Sequence, residues 1–335
     1  MERIKTSDNF HKGTFSNLED IPANNSKVDS PMKFFIKGDT VPDFSIPIKK
    51  TSLKVEADPN HHSNVKITWF GHSTLLLELN DKKIFFDPML GRVPAPVPLF
   101  VSKRFNDELP MKIEDIPELH AVLISHDHYD HLDYWTIKQI KQKVKAFYVP
   151  LGVGAHLKAW GVDASKIVEL DWFQQAEFEG LTFTCTPSHH FSGRSLTGRN
   201  STLWCSWIVK AENANIFFSG DSGFSGHFKK IGESYGPFDL TMLECGQYNP
   251  GWADIHMMPE QTVKAHMDLR GNILMPIHFG AFKLSTHPWQ EPVERLLKEA
   301  ALFGVKVTTP RIGEQVVLGN PLPDSKWWDK NNKEP

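Results

Sequence analysis

Residues 125–133 are Ser125-His126-Asp127-His128-Tyr129-Asp130-His131-Leu132-Asp133, and they follow directly on the apolar run His120-Ala121-Val122-Leu123-Ile124. A buried strand that ends at His126 is followed most simply by a turn, and a turn can aim successive side chains into one space. His126, His128, Asp130 and His131 place four metal-capable groups within six residues. Such crowding is costly unless a cation offsets it, because the groups give up water without gaining partners. Imidazole nitrogens beside a carboxylate suit zinc, manganese or iron. An isolated His pair would be an ordinary polar loop. This cluster is half of a metal site.

A site for two metals needs more donors than one loop holds. Three other positions have a suitable setting, each at the end of an apolar, strand-like run. LTFTCTP leads into Ser188-His189-His190-Phe191, NIFFSG into Asp221, and NILMPI into His278. Strand ends are where a rigid scaffold presents side chains to a cleft. Two anchoring candidates lie upstream. Asp87, after KKIFF, could hold the second ring N–H of a ligating imidazole. His72, in Gly71-His72-Ser73, is expected to face the cleft without being a ligand.

The chain has 37 Lys and Arg against 40 Asp and Glu, a net charge of −3, so no global basic field attracts nucleic acid. Cys185, Cys205 and Cys245 sit in apolar runs and are expected to be buried, inert thiols. The N-terminus lacks the apolar run of a signal peptide, and nowhere do about 18 apolar residues run together. A cytoplasmic protein is the expectation, one that can still touch the inner face of a membrane.

Residues 1 to about 30 are rich in Asn, Ser and Asp and are expected to be a mobile lead-in. PMKFFIKGDTVPDFSIPIKK, with Phe34, Phe35, Phe44 and Ile46 among prolines, is expected to pack as an extended arm, completing an N-terminal extension over 1–62. From residue 63 to 320, short β-rich runs alternate with helical spacings near DYWTIKQIKQKV, VGAHLKAW, PEQTVKAHMDL and HPWQEPVERLLKEAALFG. This pattern predicts an α+β fold: two mixed β-sheets packed face to face with helices outside, an αββα sandwich. Residues 321–335 are charged and are expected to form a flexible tail.

SHDHYDHLD, followed by SHH, GDSG and IHFG, resembles the metallo-β-lactamase superfamily, whose hallmark is the HxHxDH loop. The resemblance implies a first metal held by His126, His128 and His190, a second held by Asp130, His131 and His278, and Asp221 bridging the two. It favours His190 over His189, because the family's ligand stands directly before an aromatic residue. WFGHSTLLLEL, FFDPML, KRF, VPLGV, ELDWF and GPFDL extend the likeness over residues 65–318. They resemble the N-acylphosphatidylethanolamine-hydrolysing phospholipase D branch.

That branch implies a phosphodiesterase with two divalent metals, zinc first and manganese or iron as alternatives, in which a hydroxide shared by the metals attacks phosphorus. It also implies catalytic contributions from Asp130, in proton movement, and from His256, on the substrate side. The substrate would be a phospholipid or a smaller diester; Phe34, Phe35, Leu99 and Phe100 are expected either to pack against the sandwich or to line a groove and touch a membrane surface. Two rivals are a lactonase or other carboxylic-ester hydrolase on the same metals, and a non-catalytic metal sensor. The oligomeric state is left open.

Overall fold

The structure, a computed structural model, describes residues 2–21, 38–51, 65–96, 103–195 and 197–331. β1 (Lys66–Trp69), β2 (Leu75–Leu79) and β3 (Lys82–Phe86) form an antiparallel meander. The two-residue turn between β2 and β3 is Asn80-Asp81, with φ of 48° and 60°. Short polar side chains tolerate this left-handed backbone, which matches the twist of a tight hairpin. β4 (Leu119–Leu123), β5 (Val144–Pro150) and β6 (Ile167–Leu170) then add in parallel. Their crossovers carry α1 (Tyr134–Ile140) and α2 (Gly154–Ala159). Asp133 caps α1 by accepting from the backbone N–H groups of Trp135 and Thr136.

The second sheet is built from β7 (Gln175–Phe178), β8 (Leu181–Thr186), β9 (Ser206–Ala211), β10 (Ala214–Phe218), β11 (Phe238–Glu244), β12 (Gly271–Ile277) and β13 (Lys306–Val307). β14 (Gln315–Val317) returns to the first sheet beside β1. The strand orders are β14-β1-β2-β3-β4-β5-β6 and β13-β12-β11-β10-β9-β8-β7. Each sheet is therefore half antiparallel and half parallel, and the expected αββα sandwich is the architecture observed. Phe86 and Phe218 meet between the sheets with ring centroids 4.8 Å apart. α1 and α2 cover the first sheet through Ile137 and Leu157, while α3 (His227–Tyr235), α4 (Pro259–Asp268) and α5 (Glu291–Phe303) bury Phe228, Val263 and Leu296.

Two expectations about the ends give way. Residues 2–21 are no free lead-in: Phe10–His11 and Thr14–Phe15 pair as a ribbon, and Phe15 is buried in the main core. The tail also docks, since Trp327 and Trp328 are 3% and 1% exposed. Trp327 packs against Trp69, and Trp328 donates its indole N–H to Glu294 at 2.6 Å. Polar composition hid both, because one phenylalanine or two indoles bury enough surface to hold a short segment down. Over 38–51 the chain lies against the body, with Ile46 buried and Phe44 against Trp289. Phe34, Phe35, Leu99 and Phe100 lie outside the described residues. Among those described, the three cysteines are free and buried, and no helix is long and apolar enough to cross a membrane.

Candidate metal centre

The loops after β3, β4, β8, β10 and β12 converge at one edge of the sandwich. Nε2 of His126 lies 2.9 Å from Nδ1 of His128, which in turn is 3.2 Å from Nε2 of His190. Oδ2 of Asp221 stands 3.8 Å from both His126 and His190. Tetrahedral arms of 2.0–2.1 Å place donor atoms about 3.3 Å apart, so this spacing suits one cation. On the other side of Asp221, Nε2 of His131 is 3.1 Å from Asp221 Oδ2 and 3.4 Å from Asp130 Oδ2. Nδ1 of His278 is 3.1 Å from Asp221 Oδ1. His190, and not His189, enters these groups. Asp221 lies within 3.8 Å of donor atoms on both sides.

Backbone packing explains why the Asp221 loop contains glycine. A Cβ on Gly220, at φ +57°, would come within 2.6 Å of the Ser125 Cβ, and one on Gly223 would lie 1.8 Å from the Asp254 carbonyl oxygen. The loop can lie this close to its neighbours only without those side chains.

Three of the imidazoles, those of His126, His131 and His190, are oriented from behind. His131 donates from Nδ1 to Asp87 at 2.7 Å, leaving Nε2 toward Asp221. Asp87 also accepts from the backbone N–H of Ser125 at 2.7 Å, and the Ser125 hydroxyl lies 2.9 Å from His126 Nδ1. His190 donates from Nδ1 to the carbonyl of Ile255 at 2.9 Å. His72 is fully buried, 2.9 Å from Asp130, and its ring centroid is 4.1 Å from that of His278 with the planes tilted by 36°. Although the sequence sets it apart from the ligands, one of its ring nitrogens lies within 4.8 Å of donor atoms of Asp130, His131 and His278. These are the partners that fix ring orientation and tautomer around metals.

Sequence inspection found Asp87 but missed Asn17 and Glu244. Asn17 accepts from the His190 backbone N–H at 3.1 Å and donates to its carbonyl at 2.9 Å, so the N-terminal segment clamps the loop after β8. A lone Asn in a polar stretch carries no such signal. Glu244, the last residue of β11, contacts His256.

The donor set fits cations. Nε2 of His131 and Oδ1 of Asp221 are buried without a hydrogen-bond partner, atoms that an ion would satisfy. Burial, reinforced by neighbouring imidazoles, pushes His126 and His278 well below the ordinary histidine range, toward the neutral form that ligates metals. Burial opposes ionisation of Asp221, yet His131 and His278 outweigh it and hold the carboxyl well below the usual range. His131 runs the other way. Burial opposes its charge, but Asp221 and Asp130 outweigh that and push it well above its ordinary value. A cation among these three groups would take the place of that proton.

Beside the donors opens a cavity of about 300 Å³. His128, Asp130, Asp221, His256 and His278 share its wall with Phe191, Trp252, Ile255 and Leu284. A charged reaction centre thus adjoins an apolar surface.

The sequence profile of the Beta-lactamase superfamily domain matches residues 82–279. An uncharacterised protein of Mycobacterium tuberculosis is 42% identical over 330 residues, covering 96% of this chain and 87% of the relative. The N-acyl-phosphatidylethanolamine-hydrolyzing phospholipase D 1 of Caenorhabditis elegans is 36% identical over 257 residues, 72% of each chain. Among solved structures, Igni18, a metallo hydrolase of Ignicoccus hospitalis, shares the fold with a TM-score of 0.57 at 20% identity, over 77% of this chain and all of that one. The chain belongs to the metallo-β-lactamase superfamily as a metal-dependent hydrolase, with N-acylphosphatidylethanolamine-hydrolysing phospholipases D among its homologues.

Proposed function

We propose that the protein cleaves the phosphodiester bond of N-acylphosphatidylethanolamine-like lipids, releasing a phosphatidate and an N-acylethanolamine. The observation that carries this reading is the cavity, in which the metal-capable cluster shares one wall with Phe191, Trp252, Ile255 and Leu284. A polar reacting group tied to acyl chains matches such a wall. The 36% identity with the C. elegans phospholipase over most of both chains supports the same choice.

In this reading His126, His128, His190 and Asp221 hold one divalent cation, and Asp130, His131, His278 and Asp221 hold the other, with zinc the first choice. Two such ions lower the pKa of a water toward neutrality and offset charge growing at phosphorus. Asp130, whose side chain remains 15% exposed, is hydrogen-bonded to His72 and helps move protons at the cavity surface as a carboxylate. His256 lines the same wall, where a bound diester would meet it. The apolar wall receives acyl chain, and the protein meets its lipid as a peripheral visitor to the membrane surface.

Metal-analysed protein would be offered N-acylphosphatidylethanolamine vesicles and an acyl-lactone side by side. Phosphatidate release, faster than lactone opening, is the expected result. Lactone opening alone would replace the phosphodiesterase with a carboxylic-ester hydrolase. A metal-loaded protein turning over neither would make it a sensor. Elemental analysis of the same sample distinguishes zinc from manganese or iron.

A further inference from the structure

Glu244 is a wholly buried carboxyl behind the cavity wall, and the reaction outlined above gives it no task. Its Oε1 accepts from two backbone N–H groups, Ser222 at 3.0 Å and Met257 at 3.1 Å. Ser222 follows Asp221, and Met257 follows His256, so one oxygen ties together the two loops that meet at the cavity. The other oxygen, Oε2, lies 2.9 Å from Nδ1 of His256. The main chain of Glu244 is held as firmly: its N–H donates to the Ser219 hydroxyl at 3.0 Å, and its carbonyl accepts from Thr262 Oγ1 at 2.8 Å. The backbone thus fixes the carboxylate, and the carboxylate fixes the ring.

The ring so fixed has a definite direction. His256 lies nearly parallel to His278, 17° between planes and 5.4 Å between centroids, and 5.1 Å from His190. It lines the cavity with its side chain 14% exposed. Nδ1 is turned inward to Glu244, so the ring edge that carries Nε2 is the one left for the cavity. A neutral imidazole whose Nδ1–H is held by a carboxylate keeps a defined tautomer and orientation.

We infer that Glu244 is a positioning residue: it takes the Nδ1–H of His256 and so keeps Nε2 bare toward the cavity, where it accepts from an O–H or N–H of the bound substrate or of a water beside it. This rests on the assignment of His256 to the substrate side. The test therefore separates the hold on the ring from the use of the ring.

The first measurement uses the metal-loaded full chain with ¹⁵N-labelled histidine, assigning His256 by the signals lost in His256→Ala. A protonated Nδ1 on His256 is expected. A bare Nδ1, or an Nε2 shifted as a metal ligand, overturns the inference and needs no variant of Glu244. In Glu244→Gln the amide oxygen can keep both backbone N–H groups while the amide N–H₂ faces Nδ1, so the proton should move to Nε2. Turnover should then fall about tenfold or more, with KM within about twofold and two metals retained. In a His256→Ala background the same substitution should change turnover by less than about twofold. Equal slowing in both backgrounds overturns a role through His256. Full turnover by His256→Ala alone overturns the substrate-side assignment and any effect of Glu244 on rate, while the nitrogen spectrum still decides whether Glu244 holds the ring.

Discussion

Asp221 stands 3.8 Å from His126 and His190 and 3.1 Å from His131 and His278, and its carboxyl is almost completely buried. Asp221→Ala should leave the protein with fewer than two metals and lower turnover by about a hundredfold or more. The check is the metal-to-protein ratio beside the rate, and two metals with full turnover would remove the assignment. Asp87 acts one step further out. Burial pushes its carboxyl above the ordinary range, and the hydrogen bond from His131 offsets part of that cost. Asp87→Asn keeps the shape but weakens the hold on His131, so metal affinity should drop by about 10–100-fold in competition with a chelator. Unchanged affinity would make Asp87 a turn residue. Asp87 could be picked from the sequence because it ends a strand one step before a proline. Glu244 could not: in LTMLECG it looks like the end of an apolar strand, and its partner His256 is twelve positions away.

At the scale of elements, the seam between α4 and the second sheet carries a pH dependence. His266 on α4 lies under β12, 2.7 Å from Thr241 Oγ1, and a Cβ on Gly271 would come within 2.5 Å of its ring. Burial lowers its pKa from 6.5 to about 4. Between those values the unfolded chain binds a proton that the folded chain refuses, so stability falls as pH falls from 6.5 toward 4 and is unaffected above that window. The full contribution is at most about 3 kcal/mol at 1.36 kcal/mol per pH unit. His227, lowered by burial to about 3, adds to the same acid limb. His266→Gln should flatten the decline of the urea midpoint between pH 6.5 and 4 without abolishing it. A limb of unchanged slope would show that the seam does not titrate. Hydrophobic spacing marked α4 and its strands, but which helical face meets which strand depends on packing that no local pattern contains.

At the scale of the whole molecule, described segments near both ends pack on the sandwich. Trp327 lies between Trp69 and Phe279, with centroids 5.8 and 5.9 Å away, and Phe279 is the neighbour of His278. Gln290 binds the carbonyl of Trp328 at 2.6 Å. Removing residues 321–335 should cost about 3–5 kcal/mol or more, the range for deleting a single buried aromatic side chain. The urea midpoint of the truncated protein reads this directly, and an unchanged midpoint would mean the indoles do not hold the tail. The N-terminal segment contributes differently, by clamping the backbone of His190 through Asn17.

The amino-acid sequence by itself determined the layered architecture and the donor loop from His126 to His131. Strand and helix periodicity is local, and four ligand-type side chains crowded after one strand need no distant partner to be conspicuous. His190, Asp221 and His278 were also visible, each marked by a strand end. The tertiary structure decided the rest. It placed Asp221 between the two groups, drew Asn17 onto His190 across more than 170 positions, folded a charged tail onto the core, and set Glu244 behind His256. Such partners meet through loop closure and sheet order, and the energy that selects them comes from burying particular atoms together, which residue order does not display.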